Sequence, residues 1–495
     1  MSAKRRADLS QAPKPNLLMI GVGFLLSRLV IVPFQQPATD VFIYAQYAQE
    51  QESAKQTGTS FYEYHAQVVQ QQIEQAGGAG NQVASLDEYK NVEYPPLALA
   101  VMRIPRLWMK YPCKEEPLTA EFKERYYFAW RYGMAVVDAI LLFLMVALVR
   151  WLFARESSAE QTQRLLVYLM STVILWHLLY DRLDLLLAAV VMFALVLLRS
   201  RRHYGWSFAM LAVAINFKLV PLVLAPIWVV GSMPGDTRLS YSKPGVLVAL
   251  GVRAVFLLIL VIVCFLPFYL CDGSRCLGFL PYHRARGIEI GSLYGSLEMT
   301  LKPMGHATEV HYSYGSINLR SSFSPILVML APWLTITFLM AATALLLVHC
   351  NRLTGRNDGG SSPHGTLAQR YPCLFICYTL LFLMLFLATN KVFSPQYLFW
   401  LLPLVALLPL RGIGRQLIWW SFLLTCLLTT ILVPFLFITD LMEPAPPLPV
   451  SFWIFKGPTV RVAVILLIRN LLLITLILTL ASNLFRQAKD PSPKS

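Results

Sequence analysis

Long apolar runs alternate with short polar punctuation along the chain. Runs of about 18 or more residues recur, each long enough to cross a hydrocarbon core of about 30 Å as a helix. They predict spans at roughly 17–34, 131–153, 164–181, 183–199, 244–270, 323–349, 371–389, 397–410, 416–438 and 459–484. A further apolar stretch, Trp206 to Val230, lies between "RSRRH" and "TRLSYSK". A straight crossing would leave one of these basic flanks outside, whereas two short helices turning near Asn216 to Pro221 keep both inside. That arrangement gives about 12 passes with both termini cytoplasmic. Irregular backbone at membrane depth must be buried in protein or line a cavity, so the turn predicts a cavity.

The outward polar segments are residues 35 to about 128, 271–322, 390–396 and 439–458. The first holds a Gln-rich helical stretch, "HAQVVQQQIEQAGGAGNQ", and then "EYPPLALAVMRIPRLWMKYP". There Arg103, Arg106 and Lys110 recur at helical spacing around Pro105, which predicts a kinked helix resting in the interface. Residues 1–16 and 485–495 read as cytoplasmic tails, and 17–484 as one transmembrane domain.

Composition supports this reading. Of 495 residues, 56% are hydrophobic and 14% charged, where a soluble domain has about a quarter charged. The fold class is an all-α polytopic membrane protein, with the lipid bilayer as a partner. Net charge is +15, from 42 basic against 27 acidic residues. In a soluble protein that excess would suggest nucleic acid; here positive-inside loops account for it, with Lys4, Arg5, Arg6 and Lys14 before the first span, and Arg199, Arg201, Arg202, Arg411 and Arg415 between later ones. No nucleic-acid partner is expected. The first apolar segment is longer than a signal core and lacks a small-residue cleavage site, so it reads as an uncleaved anchor. Among eight cysteines, only Cys271 and Cys276, in an outer loop, raise the question of a disulfide.

Acids are scarce, which directs attention to the polar side chains at span edges. Asp40 in "TDVFIYAQYA" reads either as a helix cap or, beside Phe42, Tyr44 and Tyr47, as a carboxylate on a sugar- or lipid-contact surface. In "VEYPPLALA" the two prolines stiffen a turn, and Glu93 and Tyr94 before them could face a substrate. Asp181, Arg182 and Asp184 in "DRLDLLLA" form either a local ion-pair cluster or, through Arg182, an anion site. Lys218 in "FKLVPLVLAP" lies near mid-membrane, where a lysine costs about 3 kcal/mol on insertion scales and marks function by default, snorkelling being the alternative. His283 and Arg286 in "YHRARGIEIGSL", with Arg284, Glu289 and Ser292, run against the charge rule of an outer loop. Lys391, with Ser394, Gln396 and Tyr397, does the same on a very short connection. Arg131 and Asp138, seven apart on one helix face, read as compensating one another, and Arg28 and Arg253 as structural.

One carboxylate with several separated cations, and no metal-ligand cluster or nucleophile triad, suits displacement of a phosphate leaving group from a lipid-linked sugar. Lys and Arg can stabilise that leaving group, so neither metal nor cofactor is expected. One base then suffices: an acceptor hydroxyl, deprotonated by Asp40, attacks the anomeric carbon and inverts it.

Those six segments, in that order, resemble the glycosyltransferase family 87 pattern over about residues 17 to 440. The resemblance implies a GT-C fold and an inverting transferase of the inner membrane with its active site facing the periplasm. It implies a polyprenyl-phosphate-linked donor sugar, mannose above all, and a glycan or glycolipid acceptor. It maps the base to Asp40 and assigns Lys218, Arg182, His283, Arg286 and Lys391 to donor phosphate. Tyr44, Glu93, Tyr94, Ser394, Gln396 and Tyr397 become substrate contacts. The first outer loop, "FYEYHAQVV" through "ASLDEYKN", is longer than that pattern and leaves the acceptor open. A different class, a transporter or flippase of a lipid-linked or anionic substrate, would also have a broken helix carrying an intramembrane lysine.

Overall fold

The computed structural model describes residues 13–35, 39–75, 91–109, 119–199, 203–235, 244–302, 307–355, 365–441 and 457–489. Among these, seven helices are long and apolar enough to cross a membrane: Leu17–Phe34, Ala120–Leu152, Pro244–Ala285, Ser324–Gly355, Pro372–Thr389, Gly412–Leu441 and Val460–Lys489. Shorter apolar helices, Asp184–Leu198, Tyr204–Phe217, Val220–Gly231 and Pro395–Ala406, complete the set. The molecule is a membrane-embedded helical protein.

In chain order the elements that matter begin with α1, Leu17–Phe34. The first outer segment folds into α2, Thr39–Thr57, α3, Phe61–Gln75, and the kinked pair α4, Pro96–Met102, and α5, Ile104–Trp108. Then come α6, Ala120–Leu152, α7, Ser158–Ile174, α8, Asp184–Leu198, and α9, Tyr204–Phe217. Local signals set several boundaries: Asn16, Thr119 and Ser157 accept from main-chain N–H groups as N-caps, Ser157 with Glu160 in a full capping box.

The second half contains α10, Ala225–Gly231, α11, Pro244–Asp272, and α12, Phe279–Ala285. It continues through β1, Ile288–Glu289, α13, Leu293–Leu301, β2, Glu309–Ser313, and β3, Ser316–Arg320. The last helices are α14, Ser324–Gly355, α15, Leu367–Arg370, α16, Pro372–Thr389, α17, Leu402–Ala406, α18, Gly412–Ile431, and α19, Val460–Lys489. The most apolar window of α16 is 78% buried, against 11% in α11 and in α14. So α16 forms the centre, while α11 and α14 present apolar flanks, such as Val252, Ile259 and Trp333, outward.

Two expectations are corrected: the pairing of Arg131 with Asp138, and the 397–410 span. The fold is helical as expected, with one addition: β1, β3 and β2 form an antiparallel sheet in that order, because "EVHYSYGSINLR" alternates around a two-residue turn. Arg131 and Asp138 do not compensate one another. Arg131 pairs with Asp181 at 3.1 Å and lies over the Tyr127 ring, while Asp138 accepts from Arg28 Nε at 2.9 Å and from Tyr168 and Tyr180 at 2.6 and 2.9 Å. The charged partners come from α1 and from the connection before α8, not from the same helix. The 397–410 span is a 3-10 turn, Pro395–Trp400, followed by the short α17. The kink expected at Pro105 is present between α4 and α5; Arg103 and Arg106 bond back onto α2, through Glu52 at 3.3 Å and the Ala48 carbonyl at 2.9 Å, and Lys110 lies outside the described residues. Cys271 and Cys276 are both free thiols, Cys276 donating to the Gly273 carbonyl.

Candidate functional site

The site begins where α9 breaks. Pro221 cannot continue a helical hydrogen-bond ladder, and Lys218 leaves the helix in an extended conformation (φ −156°, ψ 132°). A 3-10 turn, Val220–Leu224, then leads into α10. Lys218 Nζ meets Asp184 Oδ1 at 2.7 Å. Asp184 opens α8, where the positive end of a helix favours a carboxylate. The same oxygen accepts from Trp400 Nε1 at 2.8 Å. Trp400 stacks on Tyr397 at 4.3 Å, and the Lys218 ammonium lies 4.7 and 5.2 Å from the Tyr397 and Trp400 ring centres. A desolvated cation is thus held by one carboxylate and two aromatic rings.

Asp40 occupies the first turn of α2, again at a helix start, and pairs with Arg182 from the connection before α8. Their side chains keep 16% and 19% of their surface exposed. One turn along α2, the Tyr44 hydroxyl lies 3.3 Å from that of Tyr94, with the rings edge-on at 5.6 Å. Glu93, next to Tyr94, pairs with Arg286 at 3.4 Å and lies within electrostatic reach of Asp40, Lys218 and Arg182. Burial holds the Glu93 carboxyl above its ordinary pKa, against the opposing pull of Arg286. The half-buried His283 ring reaches the Glu93 main chain. Over this pair lies the tip of the β2–β3 hairpin, Tyr314 and Gly315, both at positive φ (48° and 67°). A Cβ at Gly315 would come within 2.9 Å of the Tyr282 hydroxyl and 3.3 Å of Glu93, so only glycine fits.

Lys391 sits on the extended connection after α16. Its ammonium donates to the carbonyls of Arg284 (2.9 Å) and Arg286, and its own carbonyl accepts from Glu289 N at 3.0 Å. Burial, then the neighbouring Arg286, lowers the Lys391 pKa to about 8. Ser394 Oγ donates to Glu289 Oε1 at 2.9 Å, and Gln396 is half-buried beside Tyr397. Behind this connection, Arg469 of α19 donates to the Gly291 carbonyl and covers the Phe393 ring.

The structure therefore brings Asp40, Arg182, Lys218, His283, Arg286, Glu93, Tyr44, Tyr94 and Tyr397 into one cluster. It places Lys391 and Ser394 at the edge, tying two segments together. Sequence reasoning missed Trp400 and the pairing role of Asp184; Trp400 follows Tyr397 by three, one turn of a 3-10 helix. Nε of Arg182 and Nε of Arg286 are buried with no hydrogen-bond partner among the described residues. Beside the break, α9, α11 and α12 enclose an apolar groove of about 330 Å³, lined by Ile215, Leu219, Phe265 and Phe279 among others and by Pro95, just after Tyr94. Among the described residues, no group of three or more His, Cys, Asp or Glu side chains is placed to hold a metal ion. The chain matches no protein-family model and no curated protein.

Proposed function

We propose that the protein is an inverting GT-C-type glycosyltransferase of about 12 membrane passes. It would transfer a sugar, mannose by the sequence resemblance, from a polyprenyl-phosphate donor to a hydroxyl of a glycan or glycolipid at the periplasmic face of the inner membrane. The observation that carries this reading is the Asp40 carboxylate set among cations of which two, Arg182 and Arg286, keep an Nε unpaired among the described residues, with an apolar groove lined by Leu219 and Pro95, the sequence neighbours of Lys218 and Tyr94. The groove suits a prenyl chain, and Arg182, Lys218 and Arg286 suit the phosphate at its end.

In the reaction the acceptor oxygen bonds to the anomeric carbon as the bond from that carbon to the phosphate oxygen breaks. The departing polyprenyl phosphate keeps the electron pair, and the hydroxyl proton passes to Asp40. Asp40 is paired with Arg182. A donor phosphate competing for that guanidinium would free the carboxylate to face the acceptor hydroxyl.

The break at Lys218 also favours a second reading, transport or flipping of a lipid-linked anion. Both are tested with purified protein, in nanodiscs for transfer and in sealed proteoliposomes for donor movement, with synthetic polyprenyl-phosphate mannose and a panel of glycan and glycolipid acceptors, with and without EDTA. Transfer by wild type and none by Asp40→Asn is the expected result. Donor movement between leaflets without product would replace the proposal with the transporter.

A further inference from the structure

A second concavity lies away from the cation cluster. Among the described residues, α3 and the 3-10 turn Gly273–Leu277 enclose a cleft of about 690 Å³, within the usual range of about 300–1,000 Å³ for small-molecule sites. Gln67, Gln70, Gln71 and Glu74 line one wall at helical spacing; Asn91 and Arg275 line the other. We propose that this cleft binds the non-reacting, uncharged part of an oligosaccharide acceptor. The proposal rests on the transferase reading and adds to it the acceptor's class.

Three observations carry it. The first is charge. Glu63 holds Arg275 at 2.7 Å, and Glu74 accepts from Gln70 at 3.0 Å, so among the described lining residues no cation is left unpaired. What remains is carboxamide, which both donates and accepts, as a sugar hydroxyl does. A phosphate would call instead for uncompensated cations.

The second is fixation. The opposite face of α3 is locked to α2 by a buried His65–Glu50 pair at 2.7 Å and by Tyr47 edge-on to His65 at 5.3 Å. The glutamine face is therefore presented by an anchored helix.

The third is continuity with the chemistry. Asn91 and Val92 lead directly into Glu93 and Tyr94. Aromatic rings run the same way: Tyr62 to Phe61 at 5.2 Å, Phe61 to Tyr47 at 5.9 Å, Tyr47 to Tyr94 at 6.5 Å and Tyr94 to Tyr44 at 5.6 Å. Tyr44, Tyr47 and Tyr62 are buried in the core, so this row of rings fixes the cleft wall relative to the Glu93–Tyr94 turn. An acceptor held in the cleft would extend past Asn91 and Val92 toward Asp40.

The test uses the full chain in nanodiscs, manno-, gluco- and galacto-configured tetraoses with their monosaccharides as probes, and two variants on opposite walls, Gln67→Ala/Gln71→Ala and Asn91→Ala. Equilibrium binding is read first. Wild type should bind one tetraose at least 10-fold tighter than its monosaccharide, and both variants should lose that advantage. Transfer is read next: the variants should raise KM for long acceptors and leave kcat and the donor KM unchanged. Failure of wild type to prefer any tetraose, or a preference intact in both variants, overturns the cleft assignment. Transfer with a chain-length-independent KM would overturn the cleft and spare the transferase. Cleft-dependent binding with no transfer by wild type would keep the cleft as a glycan site and sink the transferase.

Discussion

Two arginine–aspartate clusters in this protein use the same groups and differ in how completely they are satisfied. Inside the helical bundle, Asp138 receives three donors, from Arg28, Tyr168 and Tyr180, and Arg28 also donates to Thr172 at 2.8 Å. Both side chains are buried, and neither leaves a buried atom without a partner among the described residues. At the chain break, Asp40, Asp184 and Glu93 each hold one cation, and Arg182 and Arg286 retain an unpartnered Nε. The contrast teaches that an intramembrane charge is not by itself the mark of a site. A saturated network fixes helices; an unsaturated one, partly open to solvent, has capacity left for a ligand.

Breaking one member of each cluster should separate stability from activity. Asp138→Ala leaves Arg28 buried without its carboxylate, at a cost of about 3–5 kcal/mol, and should show as a large fall in melting temperature in detergent. Asp40→Asn should leave that temperature nearly unchanged while lowering transfer by about 10²–10⁴-fold. Equal melting losses in the two variants would erase the distinction. Next in size, Lys218→Met removes a cation from the proposed donor site and should lower kcat by about 10²-fold or more, read with saturating acceptor.

A smaller effect sharpens the comparison through pH. Lys391, lowered to about 8, is a cation below that pH and neutral above it. Its ammonium is engaged by two carbonyls, so its charge would act on a donor only at a distance, beside Arg286: donor affinity should weaken slightly as pH rises through about 8, and Lys391→Arg should flatten the profile. The fold should survive the change. Between about 8 and the ordinary lysine value of about 10.4 the unfolded chain holds the proton more tightly, so stability rises, not falls, with pH there. Loss of binding together with unfolding over this window would contradict the assignment. The smallest effect belongs to the hairpin tip. Tyr314 at φ 48° is strained; Tyr314→Gly relieves about 1 kcal/mol of that and gives up the edge-on contact with Tyr282 at 5.3 Å, so the melting temperature should move by only a degree or two, roughly.

Much of this was legible in the sequence because local patterns carry it. The apolar runs marked the long helices, the basic flanks and Pro221 marked the break at Lys218, and Gln-rich "HAQVVQQQ" marked α3. Cations where the charge rule does not expect them marked Arg286 and Lys391. Pairing was not legible, because it is made between elements far apart in the chain: Arg28 with Asp138, Arg182 with Asp40, Lys218 with Asp184. The small sheet was hidden by its setting, short strands in a chain otherwise governed by helical periodicity, with a tyrosine where such a turn usually takes asparagine.

The lacing of the Arg284–Ser292 segment to the Lys391–Ser394 connection has an evolutionary consequence. Lys391 grips two carbonyls of the first segment, and Glu289 answers with both its amide and its carboxylate. A residue inserted into either stretch would throw several of these bonds out of step at once, so lengths there are expected to be held constant during divergence. The segment carrying α3 has no such lacing to the Lys391 connection among the described residues; its ties run instead to α2, through His65 and Glu50, and to Arg275 through Glu63. Change there can accumulate in step with those two partners while the Arg284–Ser292 register stays as it is.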